Sequence, residues 1–223
     1  YTVTATEGEP DEDYVDMGTG VLWAKTNLGA TAPEHFGDYY AWGETTPHYS
    51  ALSMDETLGT PKVNSVTWKS GYTDGYAWSN YFDTSDGGKT FKTYNKSKMT
   101  LSLTDDAAHV ALGDKWRMPT TEEVIALYEG STLKATTVNG VKGVQFTSNK
   151  SGNSIFIPGN GYFSGTTYSC SSNGFRMWSS TNSSTTLGYG WHCTYSSPTN
   201  EFQQYARDRL RCYGIRPVCD PGM

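Results

Sequence analysis

The chain has 223 residues, a length that suits one large domain or two small ones with a substantial buried core. It carries 17 Lys and Arg against 23 Asp and Glu, which gives a formal net charge of −6. Broad binding to nucleic acid or to an anionic membrane surface needs an excess of basic residues, so this balance argues against both. No apolar run approaches the ~18 residues of a transmembrane helix. The low charged fraction of 18 %, with 24 Gly and 16 Tyr, favours a loop-rich, β-rich extracellular protein.

The N-terminal stretch, residues 1–13, reads "YTVTATEGEPDED" and has little apolar surface to bury. We expect it to be a flexible acidic leader ahead of one domain that spans residues 14–223. From Tyr14, the string "YVDMGTGVLWAKTNLGA" predicts two short strands separated by glycines. Residues 45–90 have the weakest pattern, and we expect long loops with short ordered pieces there. Aromatic side chains that could hold these loops are Tyr72, Tyr76, Trp78, Tyr81 and Phe82.

Two helices are predicted in the middle of the chain. The string "TDDAAHVALG" places Thr104 as the N-cap of the first helix and Gly113 as its stop. The string "TTEEVIALYEG" places Thr120 and Glu123 in a capping box, in which each side chain bonds the backbone amide of the other residue. Gly130 is expected to end this second helix.

The remainder of the chain has strand patterns. In "LKATTVNGVKGVQFTS", Asn139-Gly140 predicts a β-hairpin with a type I′ turn. The strings "NSIFIPGNGYF", "FRMWSSTN", "YGWHCTYS" and "RCYGIRPV" predict further strands, so the fold class is α+β. Residues expected to be structural or buried are Trp23, Trp42, Trp116, Pro119, Trp178, Leu210, Ile215, Pro217 and Val218.

Six strings occur in an order that is specific as a set: "VLWAKTNLGATAPEHFGDYYAWGET", "DDAAHV", "KWRMPTTEEV", "GNSIFIPGNGY", "MWSS" and "YGIRPVC". Over residues 14–219 the chain resembles the "major paralogous domain" surface proteins of gut Bacteroidetes-type bacteria. The resemblance implies a C-type lectin-like fold, in the branch shared with formylglycine-generating enzymes. In that fold the N- and C-terminal strands pair, two short helices pack beside them, and short antiparallel strands and long loops display an irregular face.

Members of this family include adhesins, pilus-tip proteins and lipid-anchored surface proteins. Some are variable proteins of diversity-generating retroelements, whose diversified window corresponds by position to residues 178–218 here. The segment between Cys212 and Ile215 departs from the family pattern because it is shorter.

The resemblance also raises an enzyme alternative, since formylglycine generators hold copper with a close pair of reactive thiols. The cysteines here are Cys170, Cys193, Cys212 and Cys219, and their spacing fits neither that pair nor a zinc site. We expect one or two disulfides, with three possible connectivities for two of them. The alternative is four buried free thiols in a reducing compartment, or a mixture of thiols and a disulfide. The tripeptides of calcium-dependent lectins are missing from the sequence. We therefore predict no catalytic residue, no metal site and no cofactor.

The C-terminal window combines aromatic residues with arginines, the types that dominate binding hot spots. If this segment were a strand, Arg207, Arg209 and Arg211 would project from one side of it. Fixed positive charge between aromatics favours acidic protein or glycan partners. The predicted ligand-binding residues are Tyr168, Arg176, Tyr189, Trp191, His192, Tyr195, Gln204, Tyr205, Arg207, Arg209, Arg211 and Tyr213.

The expected function is ligand binding by a secreted or surface-anchored bacterial protein of the adhesin or pilus-tip type. Its partner would be a protein or glycan on a host or neighbouring cell, with no nucleic-acid partner and no membrane insertion by this segment. One alternative is a carbohydrate-binding module of a glycan-uptake system, in which Tyr189, Trp191 and Tyr195 stack on sugar rings. A second is a structural pilin subunit.

Overall fold

The computed structural model describes residues 13–55, 60–65, 82–83, 90–91, 93–94, 96, 98–165, 167–169, 174–183, 189–196 and 201–222. Within these ranges two α-helices accompany many short antiparallel strands, which confirms the α+β class. The helices are α1 (Ala107–Leu112) and α2 (Thr121–Glu129). The strands are β1 (Tyr14–Asp16), β2 (Leu22–Ala24), β3 (Gly37–Tyr39), β4 (Tyr49–Asp55), β5 (Thr60–Ser65), β6 (Phe82–Asp83), β7 (Thr90–Phe91), β8 (Trp116–Arg117), β9 (Ser131–Val138), β10 (Val141–Ser148), β11 (Ser154–Pro158), β12 (Tyr162–Ser164), β13 (Thr167–Ser169), β14 (Phe175–Asn182), β15 (Tyr189–Ser196), β16 (Glu201–Asp208) and β17 (Val218–Cys219).

The N- and C-terminal parts of the described chain meet in one four-stranded sheet of order β1-β2-β17-β8. Val218 of β17 pairs with Trp23 of β2 on one side and with Arg117 of β8 on the other. The two predicted strands around Gly18 and Gly20 are confirmed as the β1–β2 pair. Neither helix within the described ranges has the length and apolar content that crossing a bilayer requires.

Helix α1 begins two residues later than its sequence predicts. Its N-cap is Asp106, whose Oδ1 accepts from the amides of Ala108 at 2.9 Å and His109 at 3.1 Å. Thr104 was the wrong choice, because it lies in a 3₁₀ turn that precedes the helix. A carboxylate can accept more hydrogen bonds than a hydroxyl, and Oδ2 of Asp106 uses that capacity to accept from the amide of Met118 at 2.8 Å. Gly113 ends the helix as predicted.

Helix α2 has the predicted capping box. Thr120 Oγ1 accepts from the Glu123 amide at 3.2 Å, and Glu123 Oε2 accepts from the Thr120 amide at 2.8 Å. Arg117 also binds the Glu123 carboxylate through both terminal nitrogens, at 2.7 and 2.8 Å, and Asp220 at 2.8 Å. The start of α2 is therefore tied to β8 and to the end of the chain.

The predicted hairpin is confirmed as β9–β10, with Asn139 and Gly140 at positive φ of 46° and 82°. β11 pairs with the other edge of β10. The strand predictions over β14 and β15 are confirmed, and β16 completes a separate three-stranded sheet with them.

In the segment 45–90 the structure contains a β4–β5 hairpin that the sequence pattern did not indicate, since Pro61 lies within β5 and breaks that pattern. Tyr72, Tyr76, Trp78 and Tyr81 lie outside the described residues, and Phe82 is described by its backbone alone.

The expected structural residues are buried, including all four tryptophans among them and Leu210, Ile215 and Val218. Two of the indoles link the segment around residue 40 to β14. Trp178 Nε1 donates to the carbonyl of Tyr40 at 2.8 Å, and Trp42 Nε1 donates to the carbonyl of Ser179 at 2.9 Å. Each bond joins positions far apart in sequence, so these two indoles hold the middle of the fold together.

Arg216 is a fully buried cation between β2 and β11. Its Nε donates to Asn27 Oδ1 at 3.0 Å, and its two terminal nitrogens donate to the carbonyls of Ala24 at 3.0 Å and Phe156 at 2.8 Å. Burial lowers the pKa of Arg216 to about 9, which still leaves it charged at neutral pH. Its partners are neutral dipoles that compensate the charge and connect three segments.

Candidate ligand-binding surface

Two arginines from distant positions converge on one tyrosine ring in β12. The guanidinium carbon of Arg176 lies 4.7 Å from the ring centre of Tyr162, and that of Arg211 lies 5.5 Å from it. Both distances are within the range of cation–π attraction. All three side chains are half-buried, so each retains some contact with solvent. We name Tyr162, Arg176, Arg207 and Arg211 the arginine–tyrosine patch.

A buried tyrosine lies beneath this patch and brings Arg207 into it. The ring of Tyr213 is 5.6 Å from that of Tyr162 and 4.4 Å from that of Trp178. Burial raises the pKa of the Tyr213 hydroxyl, while the charges of Arg211, Arg176 and Arg207 act in the opposite direction. The three arginines therefore all act electrostatically on one hydroxyl group.

Asn160 fixes the backbone from which Arg176 projects. Its Oδ1 accepts from the Arg176 amide at 2.9 Å, and its Nδ2 donates to the Arg176 carbonyl at 3.2 Å. The hydroxyl of Tyr168 donates to the Asn160 carbonyl at 3.2 Å. Gly214 leaves room for this amide, because a Cβ at that position would lie 2.4 Å from Asn160 Nδ2. The start of β14 is thus preorganised, which reduces the entropy lost when a partner binds.

Two of the predicted binding residues are not on the surface. Arg209 is fully buried, with its guanidinium 4.3 Å from the Trp42 ring centre and 5.9 Å from that of Tyr94. Tyr213 is equally buried. The prediction that these two side chains are exposed for ligand binding was wrong. β16 ends at Asp208, so the strand alternation that would have put residues 207, 209 and 211 on one side does not continue.

The other predicted residues divide into two groups. Tyr168, Arg176, Gln204, Arg207 and Arg211 are half-buried. The structure describes only the backbone of five others in β15 and β16, namely Tyr189, Trp191, His192, Tyr195 and Tyr205. His192 of β15 pairs with Trp178 of β14 on one side and with Tyr205 of β16 on the other, so β15 is the central strand of this sheet.

The sequence did not single out Tyr162 and Asn160, although both lie in the string "GNGYF". Their roles depend on contacts with Arg176 and Arg211, which lie 14 or more positions further along the chain. The one local signal is the Gly-rich turn at Gly159–Gly161, where Gly161 has a positive φ of 56°. That turn directs the chain from β11 into β12.

Cys212 is one of the cysteines that the enzyme alternative would use. This residue is a free thiol, fully buried, and its Sγ lies 3.8 Å from the carbonyl oxygen of Leu210. Burial raises the pKa of Cys212, so the group stays protonated rather than forming a thiolate. Cys219 is likewise a buried cysteine outside any disulfide. The prediction of two disulfides is therefore wrong, and the alternative of buried thiols is confirmed at Cys212 and Cys219. Cys170 lies outside the described residues, and Cys193 is described by its backbone alone.

The described residues offer no other site with obvious chemistry. They contain no group of three or more His, Cys, Asp and Glu side chains arranged to hold a metal ion. Two surface cavities, of about 330 and about 500 Å³, share Lys25 and Pro33 in their walls. None of their described lining residues belongs to the arginine–tyrosine patch.

The chain was also compared with known proteins. No family model, no curated protein and no solved structure matches it.

Proposed function

We propose that this chain is a ligand-binding domain of a secreted or surface-anchored bacterial protein, of the adhesin or pilus-tip type. We further propose that its α+β architecture is a C-type lectin-like fold of the formylglycine-generating-enzyme branch. Support comes from the six ordered strings and from the β2–β17 pairing of the N- and C-terminal strands. The two short helices, one on each side of β8 in sequence, agree with the same fold.

The observation that carries the functional proposal is the arginine–tyrosine patch. Tyr and Arg are the residue types that contribute most to protein interfaces, because they combine large area with directed hydrogen bonds. The Asn160 clamp and the buried Tyr213 hold the patch on a rigid base. Rigid placement of interaction residues is what a recognition surface requires.

The proposed partner is a protein or glycan on a host or neighbouring cell surface. The retroelement hypothesis concerns residues 178–218, which include β15, β16, Arg207 and Arg211. In that hypothesis the buried Trp178 and Tyr213 are the constant frame, and the half-buried positions between them are those that vary. The proposal assigns no catalytic residue and no cofactor to the chain.

The test is binding of the purified domain to arrays of cell-surface proteins and of glycans. The variant carries Arg176→Gln and Arg211→Gln together, and its control carries Lys134→Gln and Lys142→Gln. Both lysines are exposed on the β9–β10 hairpin, so the two variants lose the same charge. A protein hit that the arginine variant loses and the lysine variant keeps is the expected result.

The alternatives give different results in the same experiment. A hit on neutral glycans that survives the arginine changes would favour the carbohydrate-binding module. Concentration-dependent self-association without any array hit would favour the pilin subunit and overturn the recognition proposal.

A further inference from the structure

We propose that the arginine–tyrosine patch binds an acidic peptide segment of a partner protein, through carboxylates on alternate residues of an extended chain. This inference rests on the proposed function, because it names the partner chemistry of the same surface. It adds a site centred on Tyr162, with Arg176 and Arg211 as the carboxylate-binding groups.

The first argument is the distribution of arginines in an acidic chain. The sequence has six arginines within a net charge of −6. Arg117 forms ion pairs with Glu123 and Asp220, and Arg209 and Arg216 are fully buried. The other three are the arginines of the patch, and all of them are half-buried. Three of the six arginines therefore lie in one patch, and their charge would steer an acidic partner to it.

The second argument concerns the ring of Tyr162. Sugar rings bind proteins by stacking on an open aromatic face, but the guanidinium of Arg176 occupies a position over the Tyr162 ring. A guanidinium over a ring keeps its N–H donors at its periphery, in the fork geometry that matches a carboxylate. The pair is thus better suited to a carboxylate than to a neutral sugar.

The third argument favours a peptide over an acidic sugar. The guanidinium carbons of Arg176 and Arg211 lie 4.7 and 5.5 Å from the centre of the same ring. The distance between these two carbons therefore cannot exceed the sum of those two values. Alternate residues of an extended peptide are about 6.5 Å apart, a spacing that fits within this limit. A single sugar acid presents one carboxylate, whereas a peptide with acids at alternate positions can engage both guanidinium groups.

The fourth argument is preorganisation. Asn160 holds the Arg176 backbone through both its donor and its acceptor, and Tyr213 supports Tyr162 from below. The Arg176 side chain is in turn restrained by its contact with the Tyr162 ring, so it loses less freedom on binding than a flexible surface arginine would. More of the free energy of each charge-assisted hydrogen bond then contributes to affinity.

The probe for this inference is a short peptide, Glu-Ser-Glu-Ser-Glu, compared with Gln-Ser-Gln-Ser-Gln and with a sialic-acid trisaccharide. Binding to the full chain is measured by calorimetry. We expect the glutamate peptide to bind and the glutamine peptide to show no heat. Affinity should fall steeply as salt rises from about 50 mM to about 500 mM, since the Debye length shortens over this range. Arg176→Gln and Arg211→Gln should each weaken binding about tenfold, consistent with the loss of one charge-assisted hydrogen bond.

Two controls separate a binding effect from a folding effect. The Lys134→Gln plus Lys142→Gln variant should keep the affinity of the unchanged chain. Arg176→Lys keeps the charge and loses the fork, so it should bind more weakly than Arg176 and more tightly than Arg176→Gln. Thermal melting of every variant checks that the fold is intact.

Several results would overturn the inference. Equal binding of the glutamate and glutamine peptides, or no peptide binding at all, contradicts it. Arginine-dependent binding of the trisaccharide without peptide binding assigns the patch to an acidic glycan instead. If the array finds a protein partner whose binding ignores both salt and the two arginine changes, the chain still recognises a surface protein but through another surface, and this inference fails.

Discussion

Replacement of Arg216 by Lys tests how much the buried cation contributes to stability. Arg216 is fully buried and donates to Asn27, Ala24 and Phe156. A lysine keeps the charge, but its ammonium group is a single point and cannot reach three acceptors that surround a planar guanidinium. We expect it to satisfy one of them and to leave two unpaired.

The magnitude follows from the two lost hydrogen bonds. Each bond from a charged donor contributes about 1.5–3 kcal/mol, so Arg216→Lys should lower the free energy of unfolding by about 3–6 kcal/mol. This is a large part of the ~5–15 kcal/mol by which a domain is stable. With a urea m-value of about 2 kcal/mol/M, the midpoint should fall by about 1.5–3 M.

The assay is urea unfolding followed by tryptophan fluorescence, for which the buried Trp42 and Trp178 are natural probes. Arg211→Lys is the matched control, because Arg211 is half-buried and the same substitution there should cost less than about 1 kcal/mol. Arg216→Met removes the charge together with the donors. Comparing its stability with that of Arg216→Lys, which keeps the charge, separates the cost of burying the charge from the contribution of the hydrogen bonds. A loss below about 1 kcal/mol for Arg216→Lys would refute the reasoning, since it would mean that the three bonds are not important for stability.

The remaining predictions concern other buried positions. Burial lowers the pKa of His48 to about 4, so between pH 6.5 and pH 4 the unfolded chain binds a proton that the native chain does not. The free energy of unfolding should therefore fall by about 3 kcal/mol over this window, and His48→Gln should remove that fall in urea titrations at several pH values. Gly214→Ala should lower stability by more than about 1 kcal/mol, because its Cβ would meet Asn160 Nδ2 at 2.4 Å, and the melting temperature measures this. Thr120→Ala should cost about 1 kcal/mol through loss of the N-cap of α2, whereas the same change at the exposed Thr137 should cost about half of that or less.

Each of these has a clear contrary result. An unchanged pH dependence in His48→Gln would show that another group causes the loss of stability in acid. A Gly214→Ala variant as stable as the original would mean that the Asn160 amide can move without consequence. Equal effects at Thr120 and Thr137 would remove the capping box as the explanation.

The features that sequence predicted well are those decided within a few residues. The Thr120–Glu123 box and the Asn139-Gly140 turn each depend on local backbone geometry, and both are present. The N-cap of α1 was missed because Thr104 and Asp106 both suit a helix start, and a distant bond to Met118 selects Asp106.

The candidate site was predicted only in part, for a similar reason. Arg176 and Arg211 were identified by residue type, but the ring that brings them together, Tyr162, depends on tertiary contacts. Arg209 was assigned to the surface by a strand alternation that ends at Asp208. Its place over Trp42 reflects a turn that no local pattern indicates.

The position of β17 inside its sheet has a consequence for the order of folding during synthesis. β17 lies between β2 and β8, so this sheet has a gap until residues 218–219 have left the ribosome. Its two neighbours come from near the start and the middle of the described chain, and such distant pairings close slowly. The two helices and the hairpins that precede β17 are therefore synthesised before the strand that joins β2 to β8 is available. The sheet can be completed only after nearly all of the described chain has been made, so it is expected to be among the last parts of the fold to form.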